Sequence, residues 1–385
     1  MLIHTATDSI AIYINRKGTV RRAIALRLAA LLLFALLLVS CIPLADGTTD
    51  GTVAAVESVA LSESSDLLET TFAPETTDAP GFTDEPETTA APETNPSPEH
   101  EGFLPNRFPV ALPSYSAMPI EHEVSGHSSF LLDLSSNTYV FFKGEGDARI
   151  YPASITKLLT ALIALRYCDA DETFTVGEER ALVAADSSVA GLSVGDSLSL
   201  YELLHALLLP SGGDAAYTVA AGVGRILCGG GDVSADAAIA AFVAEMNAYA
   251  RLLGMSSSHF TCPDGYHDDG HYSTLHDLTL LAIAAYDNLV ISEIVKKPEY
   301  VCHLTEDKSF TWKSSNKLLD RESDCYLECV TGLKTGTTDE AGCCLIASAV
   351  IADKHYIAAT FGAPSGAERL EDCAGLLRIL LGERA

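Results

Sequence analysis

Ser154 and Lys157 stand three residues apart in Tyr151-Pro-Ala-Ser-Ile-Thr-Lys-Leu-Leu-Thr160, at the start of an apolar run. A serine hydroxyl is a poor nucleophile until a neighbouring base takes its proton. Residues i and i+3 share one helix face, so the two side chains are expected to be neighbours. Burial disfavours the charged form of a lysine and so makes it available as that base. The start of a helix also favours negative charge developing at Ser154. Alone, Ser-x-x-Lys is a weak signal: Ser314-Ser-Asn-Lys317 has the same spacing with no apolar helix behind it.

Two further pieces follow in the chain. Leu207-Leu-Leu-Pro-Ser211-Gly-Gly213-Asp214 puts a serine in a tight loop between helical segments. Thr331-Gly-Leu-Lys334-Thr335-Gly336-Thr337 puts a lysine, threonines and a glycine late in a strand, the one Lys-Thr-Gly in the sequence.

The elements that must position these groups read as follows. Pro152 suits the first turn of a helix, where its missing N–H costs little. Ile155, Leu158, Leu159, Leu162, Ile163 and Leu165 make the Ser154 helix apolar on every side, which predicts a buried helix. Ser128–Leu134 and Tyr139–Lys143 read as strands around the turn Ser135-Ser-Asn-Thr138. From about Ala170 to Asn288 the pattern is mainly helical, with segments Leu198–Leu209, Asp214–Leu227, Ala235–Leu253 and Thr274–Tyr286. Cys343–Ile351 and Tyr356–Phe361 suit a second hairpin, and Glu368–Leu381 a closing helix. Strands at both ends with helices between predict an α+β domain whose termini meet in one antiparallel sheet.

The chain has 385 residues, 52 acidic against 24 basic, for a net charge of -28. That balance argues against nucleic-acid binding. Arg16, Lys17, Arg21, Arg22 and Arg27 precede the apolar stretch Leu28–Val39, too short for a comfortable transmembrane helix. Leu38-Val-Ser-Cys41 closes it and resembles the lipobox of bacterial lipoproteins, in which Cys41 would be lipidated. Residues 42–110 are rich in Thr, Glu, Pro, Ser and Ala and cannot bury enough apolar surface to fold. As a tether they would span on the order of 200 Å extended and about 50 Å as a coil. The expected division is therefore 1–41 signal, 42–110 linker and 111–385 catalytic domain.

The three motifs in this order resemble those of β-lactamases and penicillin-binding proteins. The flanking residues narrow the likeness. Tyr151-Pro-Ala-Ser-Ile-Thr-Lys, Leu207-Leu-Leu-Pro-Ser-Gly-x-Asp-Ala-Ala, Phe242-Val-x-x-Met-Asn247, Leu253-Gly-Met and Gly332-Leu-Lys-Thr-Gly-Thr-Thr-x-x-Ala-Gly resemble the serine-type D-alanyl-D-alanine carboxypeptidases, the low-molecular-mass penicillin-binding proteins. The likeness covers roughly residues 120–380. It implies a β-lactamase/transpeptidase-like fold and a membrane-tethered, extracytoplasmic enzyme that removes the terminal D-alanine from peptidoglycan stem peptides. It also implies acylation by β-lactam antibiotics.

By that resemblance Ser154 is the nucleophile, Lys157 its base, Ser211 a proton relay and Lys334 a positive charge beside the substrate. Thr335 and Thr337 would meet the terminal carboxylate, with Gly336 between them. The N–H groups of Ser154 and Thr337 would form the oxyanion hole. One position departs: the second motif of the family reads Ser-x-Asn, and Gly213 stands at the asparagine. That glycine leaves a catalytically weak or dead peptidoglycan-binding module as the alternative, and an asparagine restored there would be expected to recover turnover. A β-lactamase is the lesser alternative, because no Glu-x-x-Leu-Asn string occurs.

No cofactor or metal is expected. His259, His267, His271 and His276 with Asp264, Asp268, Asp269 and Asp277 fit no helical metal spacing. Pro263-Asp264-Gly265 reads as a turn, and Thr274 and Asp277 as helix caps. Asn316 resembles a structural segment of the family. Arg369 could touch substrate, but a salt bridge is the simpler expectation. Removing Cys41 leaves nine cysteines, an odd number, read mostly as buried thiols, with Cys325 and Cys329 close enough to pair.

Overall fold

The computed structural model of the chain describes residues 109–382. The export segment, Cys41 and the linker before residue 109 lie outside them.

The first hairpin forms where a carboxylate and an asparagine can make the turn. Asp133 Oδ1 accepts from the N–H of Ser135 (2.8 Å) and of Ser136 (3.3 Å). Asn137 takes the left-handed conformation, φ 49°, that its short side chain tolerates. The turn joins β2 (Ser128–Asp133) to β3 (Thr138–Lys143). With β1 (Ser114–Tyr115), β4 (Val330–Thr338), β5 (Gly342–Ile351) and β6 (Lys354–Ala363), they build a six-stranded sheet in the order β1-β3-β2-β6-β5-β4. Every pairing is antiparallel except β1 with β3. Ile357 faces Leu132 and Ala359 faces Phe130, so strands from opposite ends of the domain meet, as the sequence predicts.

Both faces of the sheet are covered. Phe130 and Leu132 point one way into the main core with Leu158, Leu162 and Ile346. Leu131 points the other way, with Phe141, Leu345, Leu376 and Leu377, as period-two alternation requires. The second face is closed by the final helix, α7 (Gly366–Leu380), capped by Ser365 through the N–H of Glu368. The helices on the first face are α1 (Thr156–Tyr167), α2 (Leu200–Leu208), α3 (Gly213–Leu227), α4 (Ala235–Leu253), α5 (Leu275–Asp287) and α6 (Leu289–Val295). In α1, Leu158, Leu159, Leu162, Ile163 and Leu165 are each 2% exposed or less. Each contributes about 1.5–3 kcal/mol by leaving water, which holds α1 rigidly enough to carry a buried lysine.

Three local expectations change. Ser154 is not inside α1 but in a short 3-10 turn, Ala153–Ile155, that leads into it. The region 169–199 is not helical throughout. It holds the two-stranded ribbon Thr173–Thr175 with Ser197–Ser199 and the 3-10 segment Glu178–Leu182. A further hairpin, Glu299–His303 with Ser309–Lys313, packs Cys302 and Trp312 inward. Thr274 does cap α5, accepting from the N–H of Asp277. Asp277 instead turns its carboxylate to the Ser257 N–H (2.8 Å) and the Ser258 hydroxyl (2.7 Å).

Candidate active site

The cleft is built where the start of α1, the end of β4 and two loops converge. It encloses about 360 Å³ and is lined by Ser154, Lys157, Asp186, Ser188, Asp264, Tyr266, His267 and Thr337–Glu340. Ala153 holds φ 47°, a strained value for a side chain with a Cβ, and so turns Ser154 outward to a half-buried position. Such left-handed residues cost on the order of 1–3 kcal/mol and persist where surrounding packing over-determines them. Here the packing is explicit. A Cβ on Gly336 would lie 3.0 Å from Ser154 N, 3.1 Å from Ala153 Cβ and 3.1 Å from Pro152 O. Strand β4 therefore lies directly against the nucleophile turn, and any side chain there would press on it.

Lys157 follows one turn later. Its Nζ donates to Ser154 Oγ at 2.9 Å and to the backbone carbonyl of Asp264 at 2.7 Å. It is 2% exposed. Burial pushes its pKa below the ordinary lysine value, and Asp264, then Cys262 and Asp214, pull part of the way back. The neutral amine, the form that can take a proton, is thereby favoured relative to a free lysine.

Lys334 sits in β4 opposite Ile346, also buried, with Nζ donating to the Thr335 carbonyl at 2.9 Å. Burial, then the positive charges of Lys157 and Arg369, press its pKa well below the usual value. The Thr335 hydroxyl pairs with Ser315 Oγ at 2.6 Å, and Ser315 N donates to Leu209 O at 2.9 Å. These two bonds tie β4 to the loop that carries Ser211. Ser211 is buried and takes φ 66°, a second strained residue, two positions before α3. Asp214, fully buried at the start of α3, accepts from the N–H groups of Ala190 (2.8 Å), Gly191 (2.9 Å) and Leu192 (2.9 Å). It fixes the loop that forms the cleft wall.

Among the described residues, Arg369 borders the third motif rather than forming a salt bridge. It makes its contacts with β4 rather than with a carboxylate: Nη1 donates to Gly336 O at 3.0 Å and to Thr337 Oγ1 at 2.8 Å. Asn316 is structural, as expected. Its Nδ2 donates to Gly332 O and its Oδ1 accepts from Leu318 N.

The histidine and aspartate group disperses. His271 reaches Thr156 Oγ1 (2.8 Å), His259 reaches Gly270 O, and His276 lies between Tyr115 and Asp147. His267 stays in the cleft, 3.5 Å from Glu340 and 3.6 Å from Asp269. Among the described residues no group of three or more such side chains is arranged to hold a metal. Cys168, Cys302, Cys344 and Cys373 are buried free thiols, while Cys228 is exposed, so burial is less general than expected. Cys325 is a free thiol, so the Cys325–Cys329 bridge that the spacing allows is not formed. Burial pushes Cys262 up to about 12, which leaves it a protonated thiol rather than a nucleophile beside the lysine.

Comparison with known proteins agrees with this geometry. The family profile described as D-alanyl-D-alanine carboxypeptidase matches residues 115–365. The chain is 30% identical over 263 residues to the D-alanyl-D-alanine carboxypeptidase of Streptomyces sp. strain K15, spanning 66% of this chain and 86% of that one. It is 32% identical over 275 residues to D-alanyl-D-alanine carboxypeptidase DacD of Escherichia coli, spanning 68% of this chain and 64% of that one. Among solved structures, the Streptomyces K15 DD-transpeptidase superposes with a TM-score of 0.61 at 28% identity, covering 68% of this chain and 99% of that chain.

Proposed function

Because the chain belongs to the D-alanyl-D-alanine carboxypeptidase family, we propose that it removes the terminal D-alanine of peptidoglycan stem peptides through an acyl-enzyme on Ser154. The observation that carries this reading is the 2.9 Å contact between Lys157 Nζ and Ser154 Oγ inside a buried, charge-disfavouring site. With the amine neutral, the same contact lets Lys157 accept the hydroxyl proton as Oγ attacks the penultimate carbonyl. The N–H groups of Ser154 and Thr337 stabilise the resulting oxyanion, an effect worth a few kcal/mol in comparable sites, about 2.7–4 per donor. Collapse breaks the C–N bond. The departing amine takes a proton by way of Ser211, and free D-alanine leaves. Water then cleaves the ester and restores Ser154.

Arg369 supplies positive charge, Thr335 and Thr337 supply hydroxyls, and an arriving terminal carboxylate would favour the ammonium form of Lys334. Gly336 keeps the backbone of β4 close enough for an extended peptide to lie along the strand edge. A β-lactam, which carries a strained amide and a carboxylate in similar places, acylates the same serine.

The test is release of D-alanine from a Lys-D-Ala-D-Ala peptide by the full chain. Release by the native protein and none by Ser154→Ala is the expected result. Equal release by both would remove Ser154 from the mechanism.

Anchoring is part of the same reading. Leu38-Val-Ser-Cys41 after an apolar core supports lipidation of Cys41, and the Thr/Glu/Pro-rich segment 42–110 supports a tether that holds the domain away from the outer face of the cytoplasmic membrane. Cys41→Ala should block processing and prevent labelling with a radioactive fatty acid. Undiminished labelling would place the lipid elsewhere.

A further inference from the structure

Gly213 opens α3, and its N–H donates to Ser188 O at 2.7 Å. The space where its side chain would begin is tightly bounded. A Cβ there would lie 3.1 Å from Asp264 Oδ2, 3.2 Å from Val183 Cγ1 and 3.3 Å from Ser188 O. Asp264 lines the cleft while remaining only 2% exposed. Its backbone carbonyl accepts from Lys157 Nζ at 2.7 Å, and its Oδ1 accepts from Tyr266 N at 3.1 Å.

The segment around it is held on both sides. Thr160 Oγ1 donates to Pro263 O at 2.6 Å. Gly265, at φ 81°, packs so closely on the nucleophile turn that a Cβ would fall 1.9 Å from Ala153 O. Asp264 cannot move away without carrying the Ser154 turn with it.

We infer that Asp264 is a positioning residue for Lys157, and that Gly213 and Asp264 are a matched pair: residue 213 has no side chain because the Asp264 carboxylate stands in its place beside the acyl-transfer cleft. The inference rests on the carboxypeptidase reading. The carbonyl of Asp264 aims the amine at Ser154. Its carboxylate favours the ammonium that forms when Lys157 takes the serine proton. The groups facing Lys157 are the Ser154 hydroxyl, Asp264, Cys262, Asp214 and, as the opposing positive charge, Lys334. Asp264 leads the charges that pull its pKa upward. A carboxylate only accepts hydrogen bonds, so the substrate group that meets this wall is an N–H or ammonium donor rather than a carbonyl.

The test is the rate of acylation of the full chain by a fluorescent penicillin, followed across pH. Asp264→Asn keeps the shape and removes the charge, so the rise of rate with pH should move to lower pH. Gly213→Asn alone should slow acylation about tenfold, and adding Asp264→Gly should recover most of that loss, because contacting residues do not act additively. An unmoved pH profile in Asp264→Asn, or losses that simply multiply in the double variant, would overturn the pairing. No labelling of the native chain would instead overturn the carboxypeptidase reading itself.

Discussion

Lys157→Met is expected to slow acylation of Ser154 by about a thousandfold and to lower the melting temperature. Methionine is unbranched and of similar length, so it can follow the same path toward Ser154 Oγ and the Asp264 carbonyl. What it removes is, among the described residues, the one base in contact with the hydroxyl, and such bases typically supply about 10²- to 10⁴-fold. What it gains is relief from holding an ionisable group at 2% exposure. Removing one partner of a buried pair leaves the other uncompensated, here the Asp264 carboxylate, and typically costs about 3–5 kcal/mol, which that relief only partly offsets. The substitution also takes a positive charge from beside Lys334, whose pKa should rise in consequence. Gel fluorescence of the penicillin adduct, timed against a thermal melt, measures both halves. Acylation at the native rate would show that another group takes the proton.

The pH dependence follows in sign. Lys157 must be neutral to act, and its pKa lies below the ordinary lysine value, chiefly through burial. Acylation should therefore rise as pH increases through that lowered value, at a lower pH than an unperturbed lysine would require.

Gly336→Ala is the second large effect, about a tenfold loss in acylation with little change in fold stability. The added methyl would meet Ser154 N, Ala153 Cβ and Pro152 O at 3.0–3.1 Å. Two of those atoms are backbone, in a turn already strained at Ala153, so they cannot swing aside as a flexible side chain would. Strand β4 is also held from behind by Arg369 on the Gly336 carbonyl and by the pairing of Gly336 with Cys344. The methyl is accommodated only by widening the gap between β4 and the nucleophile. The gap need widen by only a few tenths of an ångström, so the loss falls short of the roughly 10²-fold that a displacement of about 1 Å costs. Acylation rates measured beside circular dichroism decide it. An alanine variant that labels at the native rate would mean that β4 does not set the position of Ser154.

Much of the site was legible because its chemistry is carried by side chains in short runs. Ser154 and Lys157 lie one turn apart, and the apolar residues of α1 announced that the lysine would be buried. The sheet was legible for a similar reason: β2, β5 and β6 are long and apolar on both faces. What escaped was of another kind. The carbonyl of Asp264 holds Lys157, and a backbone carbonyl leaves no mark on a sequence. Arg369 reaches Thr337 only because α7 lies against the sheet, a meeting across 32 residues that no local pattern encodes. Ser315 meets Thr335 in the same way. The hairpin Glu299–His303 with Ser309–Lys313 buries one residue per strand, too little apolar signal to separate it from a loop. The 3-10 turn at Ser154 depends on φ 47° at Ala153, imposed by the packing of Gly265 and Gly336 rather than by alanine's own preference.

The role of Gly213 changes most between sequence and structure. From the motif alone it is a lost amide, to be repaired with asparagine. In the folded chain the position is enclosed by Asp264, Val183 and Ser188, so asparagine alone is expected to do harm.

The most direct test of the account is to map the covalent adduct. The full chain is treated with benzylpenicillin, digested, and the modified peptide identified by mass spectrometry. A single penicilloyl group on the peptide carrying Ser154, absent in Ser154→Ala, is the result expected. An adduct on Ser211, on Ser314 or Ser315, or no adduct at all, would contradict the assignment of Ser154 and Lys157 as the acylating pair.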